Sequence, residues 1–67
     1  MEITLNNRAE RIDSETISVS ELIKKKNFTF KLLVTKINGE LIKKEARDQA
    51  IIKGGDHVLI IHLISGG

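Results

Sequence analysis

The run Val58-Leu59-Ile60-Ile61-His62-Leu63-Ile64 is apolar at nearly every position. Successive side chains of a strand point to opposite faces, so this segment offers apolar groups to both sides of any sheet it joins. A chain of 67 residues has little with which to cover both sides. A domain of this size buries only about 60% of the surface of its unfolded chain. With Val58 and Ile60 on one face, Leu59, Ile61 and Leu63 fall on the other. Two readings stay open. The strand is central and buried on both sides, or the sheet has one bare face whose apolar stripe docks a partner.

The rest of the chain supplies one short helix and several strands. Met1, Ile3 and Leu5 alternate with Glu2, Thr4 and Asn6, the period of a half-buried strand. Asn6-Asn7 has turn chemistry, because Asn tolerates left-handed backbone, and Ala9 to Asp13 can return as a polar strand with Ile12 inward. Ser18-Val19-Ser20-Glu21 fits a capping box, with Ile17 as the staple. Val19, Leu22 and Ile23 share one helical face, and Lys24, Lys25 and Lys26 occupy the last turn, where cations suit the helix dipole. A helix ending near Asn27 is too short to stand alone and must pack on a sheet. Phe30 to Ile37 reads as a strand and Asn38-Gly39 as its hairpin turn, returning through Leu41 and Ile42. Leu33, Thr35 and Ile37 compete with Phe30, Leu32 and Val34 for the inward face. The first set is favoured, because the alternative buries Lys36. Glu45 to Gln49 reads as a turn or irregular helix, and Ile51 and Ile52 as a return to the core. Gly54-Gly55-Asp56 is a tight turn into a last strand, His57 to Ile64. The expected architecture is α+β: a sheet shared by the first hairpin and the last strand, with the helix across one face. Residues 1–67 read as one domain, with Ser65, Gly66 and Gly67 as a flexible tail.

Composition removes most chemistry. There is no cysteine, which excludes disulfides, thiol catalysis and Cys-based zinc sites, and no proline, tryptophan or tyrosine. Apolar residues at 40% and charged residues at 30% are ordinary for a soluble globule. The net charge of +2, from 11 basic and 9 acidic side chains, gives little reason to expect nucleic-acid binding. No apolar run approaches the ~20 residues of a membrane span. Met1-Glu2-Ile3-Thr4 lacks the layout of a secretory signal, so a cytoplasmic location is expected. His57 and His62 are five apart on one strand, face opposite sides and cannot share a metal, so no metal site is expected. Lys24-Lys25-Lys26 and Lys43-Lys44 read as solvated faces. No Ser/His/Asp set is available, and Gly54-Gly55-Asp56 leads into a strand instead of the helix that a phosphate loop needs. The chain reads as a substrate or carrier for chemistry done elsewhere, not as an enzyme.

Ser65-Gly66-Gly67 follows the apolar strand with no polar linker. Terminal glycines are commonly a frayed end. Glycine has no Cβ, however, so such a tail can also thread a channel too narrow for other residues. It would present there a carboxylate ionised at neutral pH, with a pKa of roughly 3.3–3.7. A carboxylate can attack the α-phosphorus of ATP where another protein stabilises the developing charge, and the acyl-adenylate is then open to sulfur or nitrogen.

The Asn38-Gly39 hairpin, the Gly55-Asp56 turn, the apolar last strand and Gly66-Gly67, at these spacings and over the whole chain, resemble the ubiquitin-like β-grasp sulfur carriers, the ThiS family above all. The resemblance implies that a ThiF-like adenylating enzyme, using ATP and Mg²⁺, activates the carboxylate of Gly67. Sulfur from a persulfide donor would then leave a thiocarboxylate there, for a ThiG-like thiazole synthase to use in making thiamin. Gly66 and Ser65 would give access, and Leu59, Ile61 and Leu63 would dock partners. Many members carry Val-Pro-Arg and a Trp after the hairpin, where this chain has Ile42-Lys43-Lys44 and, further on, Arg47. Related carriers for molybdopterin, tRNA thiolation or cysteine synthesis share the tail, as do protein modifiers joined to lysines. A regulatory β-grasp module is a further alternative.

Overall fold

The computed structural model describes residues 1–29 and 32–63. Phe30, from the losing set for the inward face, Ile64 at the end of the last strand, and Ser65, Gly66 and Gly67 lie outside the described residues. In chain order the elements are β1 (Glu2–Leu5), β2 (Arg8–Arg11), β3 (Thr16–Ser18), α1 (Val19–Lys25), β4 (Leu33–Ile37), β5 (Glu40–Ile42), a 3-10 turn (Lys44–Ala46), β6 (Ile51–Lys53) and β7 (His57–His62).

Left-handed Asn and Gly residues set the hairpins. Asn6 and Asn7 have φ of 51° and 68° between β1 and β2, and Asn38 and Gly39 have 51° and 83° between β4 and β5. Two positive φ values in a two-residue loop match the right-handed twist of the flanking strands. The two hairpins flank β7 in a five-stranded sheet of order β2-β1-β7-β4-β5. The β1–β7 pair is parallel, Leu5 lying opposite Val58, and the other three pairs are antiparallel.

The helix begins as its sequence dictates. The Glu21 N–H donates to Ser18 Oγ at 3.0 Å, and the Ser18 N–H donates to Glu21 Oε1 at 3.1 Å. This reciprocal box satisfies two backbone donors that the first turn cannot satisfy itself. Ile17 before the cap and Leu22 in the first turn are both buried, the positions of a hydrophobic staple. Asn27, at φ 57°, turns the chain away. The core lies on the helix side of the sheet and comprises Ile3, Leu5, Ile12, Ile17, Val19, Leu22, Ile52, Val58 and Ile60.

Several details differ from the sequence expectation, among them the strand before the Asn38-Gly39 turn, which begins at Leu33, and the last strand, which ends at His62. The second strand spans Arg8–Arg11, not Ala9 to Asp13; Ile12 is buried just past its end, where its N–H donates to the Met1 carbonyl. Two further strands, β3 and β6, form a small sheet with Ile17 opposite Ile52. Alternation along β6 buries Ile52 and turns Ile51 outward, so Ile51 is exposed and not part of the core. Lys26 is not simply solvated: its Nζ pairs with Glu10 Oε2 at 3.1 Å, tying the helix end to β2.

Of the two sets that compete for the inward face of β4, Leu33, Thr35 and Ile37 win. Thr35 is fully buried and the other two pack against the core. The Thr35 hydroxyl donates to the Ile42 carbonyl at 2.6 Å and accepts from Arg47 Nε at 3.2 Å, so the buried oxygen is satisfied.

Candidate functional site

Helix α1 has seven residues and lies across one face of the sheet. The opposite face carries an apolar stripe. Residues directly opposite on neighbouring strands share a face. Lys36 stands opposite Leu59, and Val34 opposite Ile61. The same register continues to Leu32 and Leu63, joined by a hydrogen bond from the Leu63 N–H to the Leu32 carbonyl at 3.0 Å. Leu41 of β5 flanks Lys36 on its other side. Ile61 is 46% exposed, Leu63 50%, Leu32 52% and Leu41 56%, while Leu59 is half-buried. Val58 and Ile60 are buried among the core residues. Among the described residues the strand is therefore apolar on both faces and covered on only one.

Leu59, Ile61 and Leu63 thus stand together as their alternation requires. Leu32, Val34 and Leu41 extend the stripe across three strands, and nothing in the reading of β7 alone assigned them to it. The available signal was the set that lost the inward face of β4: its Leu32 and Val34 had to lie outward.

Polar clasps hold β7 near both ends. Asp56, buried just before the strand, accepts from the Lys53 N–H at 2.9 Å and from Asn38 Nδ2 at 3.1 Å. Asn38 Oδ1 in turn accepts from the His57 N–H at 2.8 Å, and the Asn38 N–H donates to the His57 carbonyl at 2.7 Å. The Asn38-Gly39 hairpin turn and the Gly54-Gly55-Asp56 tight turn are thereby locked to each other. Gly55, at φ 87°, supplies the left-handed residue that lets Asp56 reach back to Lys53. Farther along, Asn6 grips the Ile60 peptide from both sides, its Oδ1 accepting from N–H at 2.9 Å and its Nδ2 donating to C=O at 3.1 Å. That side chain continues the β1–β7 pairing for one step past the end of β1. Arg47 braces β4 from behind, its Nη2 donating to the Leu33 carbonyl at 2.6 Å. The Asn6-Asn7 pattern marks a turn but not the grip on Ile60, and no local pattern marks the Arg47 contact, because both partners are remote in sequence.

The two histidines face opposite sides, His57 in line with Leu59 and His62 opposite Leu33. Among the described residues no group of three His, Asp or Glu could hold a metal ion. No helix among them is long and apolar enough to cross a membrane.

A mixed five-stranded sheet with one helix across one face defines a ubiquitin-like β-grasp fold. The stripe on its open side gives that fold a surface fit for protein contacts. The chain belongs to the ThiS family, whose model matches residues 1–67. Its backbone is similar to the crystal structure of the thiamine biosynthesis protein ThiS from Geobacter metallireducens, with TM-score 0.89 and 29% identity over 100% of both chains. An NMR solution structure of a thiamine biosynthesis protein from the same organism gives TM-score 0.81 and 29% identity, over 100% of this chain and 88% of that one. No curated protein gives a match.

Proposed function

We propose that the chain is a sulfur carrier of thiamin biosynthesis, loaded at the terminal carboxylate of Gly67 and not itself a catalyst. The observation that carries this reading is the family match over residues 1–67. A carboxylate oxygen of Gly67 attacks the α-phosphorus of ATP on a ThiF-like enzyme, with Mg²⁺, and pyrophosphate leaves. The outer sulfur of a persulfide donor attacks the acyl carbon and AMP leaves. A thiol then cleaves the acyl disulfide, becoming oxidised to a disulfide, and releases the thiocarboxylate. A ThiG-like thiazole synthase accepts that sulfur. Each attack splits a difficult substitution into easier ones by passing through an activated acyl group.

The carrier's own contribution is presentation. Gly66 and Gly67 have no side chain to obstruct a narrow channel. Leu59, Ile61 and Leu63, with Leu32, Val34 and Leu41, form the surface that meets the partners. The test is intact mass after incubation with ATP, Mg²⁺, a ThiF-type enzyme and a persulfide donor. Exchange of oxygen for sulfur adds about 16 Da, as expected for acyl activation followed by nucleophilic attack. Absence of that increase with every cognate adenylating enzyme overturns the proposal. Isopeptide ladders on other proteins in place of the increase would reassign the chain as a modifier.

A further inference from the structure

Lys36 interrupts the apolar stripe at its centre. It stands in register between Leu41 on β5 and Leu59 on β7, with Val34 two positions earlier on its own strand. The side chain is half-buried, and among the described residues its ammonium has no ion-pair partner. A lysine can lay its methylene stem along leucine surface and keep its charge in water while the face is open. That arrangement fails once a flat apolar surface closes over the row. The ammonium would lose its water, and an unpaired buried charge is strongly unfavourable.

We propose that Lys36 is the specificity-determining residue of this face, and that the partner docking there carries a carboxylate set within its apolar surface to meet the Lys36 ammonium. Lys43 supports the same sign of charge. It lines, with Leu32, Val34 and Leu41, a shallow groove beside β5. At the far edge of the sheet Glu2 stands in register with Arg11, away from the stripe. The uncompensated charge next to the stripe is positive, and its complement is an acidic group on an otherwise apolar surface. This inference rests on the reading that the stripe docks the adenylating enzyme, and it names the chemistry of that partner's surface.

The experiment measures binding of the full chain to the ThiF-type enzyme on a biosensor between about 50 and about 500 mM salt, a range over which screening of charges changes strongly. Lys36→Glu is expected to weaken binding at least ~30-fold at low salt, through like-charge repulsion at the contact. Lys36→Met keeps the stem and removes the charge; it is expected to weaken binding ~5-fold or more and to flatten the salt dependence. Thermal unfolding of both variants checks that the fold survives. Lys36→Met binding as tightly as the parent with an unchanged salt slope overturns the proposal. So does a Lys36→Met chain that self-associates in sedimentation yet docks normally, since Lys36 would then only guard against self-association. Ile61→Asp separates the two levels. If it binds normally, the docking reading itself fails; if it abolishes binding while both Lys36 variants behave like the parent, only the role of Lys36 fails.

Discussion

Ile60 and Ile61 are chemically identical neighbours on one strand, and the fold assigns them opposite fates. Ile60 is 4% exposed and part of the core, whereas Ile61 is 46% exposed on the bare face. Truncating Ile60 to alanine removes buried methyl groups and leaves a cavity, a change that costs about 2–5 kcal/mol. A domain of this length has a total stability of only about 3–10 kcal/mol. At ~4–8 °C per kcal/mol, a loss of ~3 kcal/mol lowers Tm by ~12–24 °C. Ile61→Ala leaves no cavity, because solvent fills the space. It forfeits about half of a burial worth roughly 1.5–3 kcal/mol, or about 1 kcal/mol, and ~4–8 °C. Urea unfolding and thermal melts of both variants measure the difference directly. Partner binding should rank the other way, with Ile61→Ala weakened and folded Ile60→Ala little changed. Equal destabilisation of the two variants would refute the assignment of faces, and with it the docking surface.

Asp56→Ala strips acceptors from the Lys53 N–H and the Asn38 amide, two hydrogen bonds to a charged group worth roughly 1.5–3 kcal/mol each. Equilibrium urea unfolding should show a loss of about 3 kcal/mol, and a loss below ~1 kcal/mol would contradict the clasp. Ser18→Ala removes the cap of α1 and should cost about 1 kcal/mol, read from the same titration. An unchanged midpoint would mean that packing alone holds the helix end.

What could be read from the sequence was what short-range chemistry decides. Ser18 and Glu21 are three residues apart and bond to each other, so the capping box was visible without the fold. Asn38-Gly39 needed only two left-handed residues between apolar runs. The faces of β7 followed from alternation together with a length argument, since one short helix cannot cover two sides of a sheet. The failures share a different cause. The pairing of Thr16–Ser18 with Ile51–Lys53 joins three-residue strands far apart in sequence, too short to show a period that separates exposed Ile51 from buried Ile52. Asn6, bonded to Ile60, and Arg47, bonded to Leu33, act on partners that only the tertiary fold brings near. The charge of Lys36 decides the inward face of β4, but its place between Leu41 and Leu59 depends on the registers of two strand pairs.

The most direct measurement compares the chain with a form carrying one added alanine after Gly67, each incubated with ATP, Mg²⁺, the ThiF-type enzyme and a persulfide donor, then weighed intact. The unextended chain should become heavier by about 16 Da and the extended one should stay unchanged, because the added Cβ blocks access to the adenylation site. An equal increase in both would contradict loading at the glycine carboxylate.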